Sequence, residues 1–98
     1  MIDAGDVYLA DFGHEQRTLV VVVSHAAFHR RADRVIVAPE QPGPADDVAP
    51  PWRVPVGRHV FAVDHLRSVR AERLLSLEAR ATAAEAGRIA ATLRRIAI

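Results

Sequence analysis

The 98 residues, half of them hydrophobic but poor in aromatics and rich in Ala and Val, make one domain near the lower end of comfortable independent folding, with a thin core that a homodimer would supplement. The absence of cysteine excludes disulfides, a thiolate nucleophile and any cysteine-built zinc site. The formal charge is only +1, yet all thirteen cationic side chains are arginine, whose planar fork suits phosphate, so a local arginine patch would say more about a nucleic-acid partner than the net charge does.

In chain order, Gly5–Phe12 alternates loosely and reads as a first strand, and Gly13–Arg17 as a loop. Thr18–Ser24 is β-branched with both faces apolar, as expected of a central strand. Its run Leu19–Val23 is the longest purely apolar stretch and is far too short to cross a bilayer. The opening MIDAGD lacks the basic-then-apolar profile of a secretory leader, so a cytoplasmic location is expected, with no membrane partner. Ser24 can cap a short helical turn through Ala26, Ala27 and Phe28, with Phe28 in the core and His25 and His29 at its rim. Arg34–Pro39 reads as a strand. Glu40–Pro51 holds four of the six prolines and reads as a loop. Trp52–Val56 and His59–Val63 flank Gly57 as a hairpin, Asp64–Ser68 reads as a turn, and Leu74–Leu77 as a last strand.

The period then changes. Thr82-Ala-Ala-Glu85 fits a capping box, and behind it Ile89, Leu93 and Ile96 fall on one helical face. The predicted fold is mainly β with a C-terminal α-helix, its short, closely spaced strands favouring a small barrel over an open sheet.

Three clusters carry possible chemistry. In GHEQR, His14 and Glu15 can share proton transfer while Arg17 stabilises a charged transition state; the same residues also make an ordinary solvated loop with an Arg17–Glu15 pair. His25 and His29, four apart on a helical turn, have no obvious third ligand, and no metal site is expected. Asp64, His65 and Arg67 follow the strand Phe61–Val63 and can face the pocket of GHEQR, or simply form a turn that Asp64 favours. Arg88, Arg94 and Arg95 read as the solvated side of the last helix, since no aromatic residue is interleaved for base stacking.

Taken together and in order, GDVYLADF, GHEQ followed by Arg17 and the buried strand, SHAAFHR, VIVAP and VDHLRSV resemble the MazF/PemK toxin endoribonucleases of type II toxin–antitoxin systems, and most of all the Kid-like branch. The resemblance runs from Gly5 to the final helix. It implies an SH3-like small β-barrel that forms a dimer and cuts single-stranded RNA without a metal or other cofactor. The ribose 2′-hydroxyl attacks the adjacent phosphate, and a cognate antitoxin blocks the site with an acidic C-terminal tail. Carried over by position, the resemblance makes Asp64 the general base, Arg17 a phosphate ligand or acid, and His14 a group holding the reacting phosphate. Glu15, Gln16, Gln41, His65 and Arg67 would then line the RNA groove, with the Glu40–Pro51 loop over it.

Three positions depart from the family pattern. The loop between Gln16 and Thr18 is shorter, Gln41 stands where a threonine is usual, and Ala62 stands where the Kid-like branch has a general-acid arginine. Arg17 or His65 could supply the missing proton, since an imidazole titrates near neutrality. The same fold also serves non-catalytic toxins that bind a protein target such as DNA gyrase, as in CcdB, and a degenerate antitoxin-binding homologue would keep the surface and lose the chemistry.

Overall fold

The structure, a computed structural model, describes residues 1–13, 16–41 and 51–96. Five antiparallel strands form one sheet: β1 (Asp6–Ala10), β2 (Thr18–Val22), β3 (Val35–Pro39), β6 (Arg67–Val69) and β7 (Leu74–Arg80), in the order β6-β3-β2-β1-β7. A separate hairpin, β4 (Arg53–Val56) and β5 (His59–Ala62), turns at Gly57, whose φ of 61° suits a residue without a Cβ. Two helices complete the chain, α1 (Ala26–Ala32) and α2 (Ala83–Ile96).

The central strand explains its own composition. Val21 packs with Val7, Ala38, Val54, Val56, Phe61, Val63 and Ile89, between the sheet and the layer of hairpin and α2. Its neighbours Val20 and Val22 point the other way and pack with Ala10, Val35, Val37, Val69 and Leu74. The sheet therefore needs apolar side chains on both faces of β2. Two register shifts interrupt the pairing of β1 with β7, and the backbone N–H of Asp11 donates to the carbonyl of Arg73 at 2.9 Å, which carries the contact of the two strands beyond Ala10.

The expected barrel is not closed among the described residues. The two sheets meet at a single bridge, Glu40 with Phe61, reinforced by a hydrogen bond from the Gln41 N–H to the Val60 carbonyl at 2.8 Å and by the side-chain pair of His59 and Glu40. Asp64–Ser68 is only partly a turn, because Arg67 and Ser68 already pair with β3. The last strand continues to Arg80, and the first is shorter than expected.

Around α1 the expectations fail in two ways. Ser24 is not the cap: His25 holds the N-cap position with no side-chain cap bond. Ser24 Oγ instead accepts the Ile36 N–H at 3.0 Å and meets His29 Nε2 at 2.5 Å, while His29 Nδ1 lies 3.1 Å from the Ile2 carbonyl. A carbonyl can only accept, so Nδ1 carries the proton and Nε2 receives the Ser24 hydroxyl. His29 thus staples the N-terminus to β2 and β3. Phe28, expected in the core, is 42% exposed, and α1 buries no residue.

The capping box of α2 is as expected. Glu85 N–H donates to Thr82 Oγ1 at 3.1 Å and Thr82 N–H to Glu85 Oε1 at 2.8 Å. The second oxygen, Oε2, accepts the Gly57 N–H of the β4–β5 turn at 2.7 Å, so one carboxylate caps the helix and clamps the hairpin. Ile89 is buried and Leu93 packs on the same core, but Ile96 is 41% exposed.

Bonds from the Thr82 and then the Gly57 backbone, with smaller help from the Thr82 hydroxyl and Arg88, hold the Glu85 carboxyl below its ordinary value. The unfolded chain lacks these donors and binds the proton more readily. The stabilisation is therefore complete above about pH 4.5 and lost as pH falls through the lowered folded value. Urea unfolding across the acid range should show a shallower loss of stability for Glu85→Gln than for the wild type; parallel curves would show that the carboxylate is not held in this way.

Candidate active site

The sheet register gathers the candidate residues at one end. Ala10 pairs with Thr18, Val20 with Pro39, and Val37 with Arg67. The Glu40 N–H donates to the Leu19 carbonyl at 2.8 Å, one step beyond that register. Gly13, Gln16 and Arg17 at the β1–β2 loop, Gln41 after β3, and Asp64 and His65 before β6 therefore all leave the sheet on the same side. Gln16 and Arg17 are exposed there. His14 and Glu15, and residues 42–50 of the proline-rich loop, lie outside the described residues.

The backbone around Asp64 is fixed from both sides. Val63 N–H donates to the Trp52 carbonyl at 3.0 Å and His65 N–H to the Ala62 carbonyl at 3.0 Å. Asp64 Oδ2 lies 3.3 Å from His65 Nε2, and Oδ1 lies 3.6 Å from Arg53 Nη1. The same Arg53 nitrogen donates to Gln41 Oε1 at 2.6 Å. A carboxylate, an imidazole, a guanidinium and an amide thus form one continuous cluster, built from both sheets. Such a set can take up a proton, return one and hold a phosphate.

Arg53 was not among the sequence candidates. Its signal lies in strand pairing: Arg53 is directly opposite Ala62 in the hairpin. Opposed residues of antiparallel strands project from the same face with Cβ atoms about 5 Å apart. A guanidinium from position 53 therefore serves the space in front of Ala62, where the family resemblance puts an arginine.

Arg67 does not join this cluster. Its guanidinium carbon sits 4.2 Å from the centroid of the Phe12 ring, in a cleft of about 240 Å³ also lined by Asp11, Arg34, Arg70 and Arg73. This is the local arginine patch that net charge could not reveal. An apolar cavity of about 380 Å³, lined by Val22, Val23, Ile89 and Leu93 among others, lies at the opposite end of β1 and β2. Among the described residues no group of three or more His, Asp or Glu comes together that could hold a metal ion.

Over residues 3–97 the sequence matches the family described as PemK-like, MazF-like toxins of type II toxin–antitoxin systems. The chain belongs to this family. Its fold is similar to that of an endoribonuclease from a mycobacterial species, solved in complex with its cognate antitoxin, at a TM-score of 0.83 and 19% identity over 97% of this chain and 93% of that one. It is also similar to the MazE–MazF structure from Deinococcus radiodurans, at a TM-score of 0.81 and 22% identity over 98% of this chain and 94% of that one. MazF from Deinococcus radiodurans is similar at a TM-score of 0.73 and 24% identity over 98% and 96% of the two chains. No curated protein matches the chain in sequence.

This MazF-like toxin keeps the family's fold although, among the described residues, a single β-bridge joins its two sheets. No helix among the described residues is long and apolar enough to cross a membrane.

Proposed function

We propose that this toxin is an endoribonuclease that cuts single-stranded RNA through attack of a ribose 2′-hydroxyl, working as a homodimer in the cytoplasm until a cognate antitoxin with an acidic tail occupies the site. The observation that carries the reading is the contact of Asp64 with His65 and Arg53 at the end of the sheet where the β1–β2 loop emerges.

Asp64 takes the proton of the 2′-hydroxyl. The 2′-oxygen bonds to phosphorus, and the bond from phosphorus to the 5′-oxygen breaks. The leaving oxygen takes a proton from His65 in its imidazolium form, which is favoured over Arg17 because it already lies beside Asp64. Arg17 and His14 hold the phosphate, and Glu15, Gln16, Gln41 and Arg67 line the path of the strand. The nucleophile belongs to the substrate, so the chemistry asks for placed charges and needs no metal.

The test is incubation of a mixed single-stranded RNA with the antitoxin-free protein in EDTA. Discrete fragments ending in a 2′,3′-cyclic phosphate and a 5′-hydroxyl are expected. An uncut RNA, or cutting that EDTA abolishes, would overturn the reading.

A further inference from the structure

We propose that Arg53 is a catalytic residue of this site, binding a non-bridging oxygen of the scissile phosphate and stabilising the charge that grows there as the 2′-oxygen attacks. The inference rests on the ribonuclease reading above.

Three observations carry it. Among the described residues, Arg53 supplies the one guanidinium within ion-pair distance of Asp64, at 3.6 Å. The same nitrogen is 2.6 Å from Gln41 Oε1, so the group stands between the proposed base and a residue of the RNA path. Its side chain is only 17% exposed, anchored on β4 opposite Ala62, so the charge is placed before substrate arrives. Preorganised charge of this kind costs no rearrangement during the reaction.

The chemistry explains why the position matters. Attack by the 2′-oxygen puts additional negative charge on the phosphate oxygens next to the base. A base without a neighbouring cation would face a rising anion beside its own carboxylate. Nη1 carries two of the five N–H donors of a guanidinium, and the other three lie outside the two contacts described. One or two of these can meet a phosphate oxygen while Nη1 keeps Asp64 and Gln41 in place. The Arg53 proton stays on nitrogen throughout: the 2′-proton goes to Asp64, and the proton for the 5′-oxygen comes from His65.

The experiment compares wild type, Arg53→Ala and Arg53→Gln on an RNA whose scissile phosphate carries sulfur in place of either non-bridging oxygen, each diastereomer tested alone. Arg53→Gln keeps the stem of the side chain and guards against a simple loss of hairpin packing. Sulfur accepts hydrogen bonds poorly, so the wild type should cut one diastereomer more slowly than the other. Both variants should cut the all-oxygen RNA about 10²–10³-fold more slowly and lose the discrimination between diastereomers.

A variant that slows cleavage yet keeps the wild-type discrimination would show that Arg53 only positions Asp64, and the proposal would fall. Unchanged rates in the variants, or no discrimination by an active wild type, would overturn it as well. An inactive wild type would overturn the ribonuclease reading and this proposal with it, whereas the other outcomes leave the ribonuclease reading standing.

Discussion

Replacement of Asp64 by Asn should lower single-turnover RNA cleavage by about 10²–10⁴-fold, the usual loss when a general base is removed, while the melting temperature stays within a few degrees of wild type. The amide has the shape of the carboxylate but cannot take up the 2′-proton. The fold should tolerate the change because the local backbone is held by main-chain bonds, from Val63 to Trp52 and from His65 to Ala62, rather than by the side chain. The two ion pairs of Asp64 involve a partly exposed carboxylate, and pairs of that kind contribute little to stability. Cleavage kinetics and a thermal melt on the same preparation separate the two effects. Wild-type cleavage by Asp64→Asn would place the base elsewhere.

The largest expected effect on stability is at Phe61. Its side chain is fully buried, and it is the largest residue in a core otherwise built mostly from valines. It also occupies the bridge to Glu40 that joins the two sheets. Phe61→Ala should destabilise the fold by about 4 kcal/mol, from lost transfer energy and a cavity that stiff β-branched neighbours cannot fill. Domains of this size hold about 5–15 kcal/mol in total, so the variant should sit close to unfolding at room temperature. Urea titration of the variant beside Phe61→Leu measures this directly. A shift of under 1 kcal/mol for Phe61→Ala would mean that the seam closes over the gap.

Much of this architecture was readable before the fold was known, for identifiable reasons. Apolar residues on both faces of Thr18–Val22 marked a central strand, and the spacing of Thr82 and Glu85 marked a helix start, because both signals are local. The hairpin about Gly57 was readable for the same reason. Long-range pairing was not. Arg53 carries no motif, and its place beside Asp64 depends on strand register. The Glu40–His59 pair spans nineteen positions, and the Ser24–His29–Ile2 chain needs the N-terminus to fold back. Phe28 misled in the opposite direction: an aromatic residue on a short helix looks like core, yet this helix lies outside it. Arg67 stands close to Asp64 in sequence and was grouped with it, but the fold gives it Phe12 and an arginine cleft as neighbours.

The seam between the two sheets gives the site a property of its own. Gln41 extends from the five-stranded sheet, whereas Arg53 and Asp64 belong to the hairpin layer. An RNA strand or an antitoxin tail lying across these three residues would act as a strut between two parts of the domain that share an apolar core but are joined, among the described residues, by a single β-bridge. Part of the binding energy of such a ligand would then appear as resistance of the whole chain to unfolding.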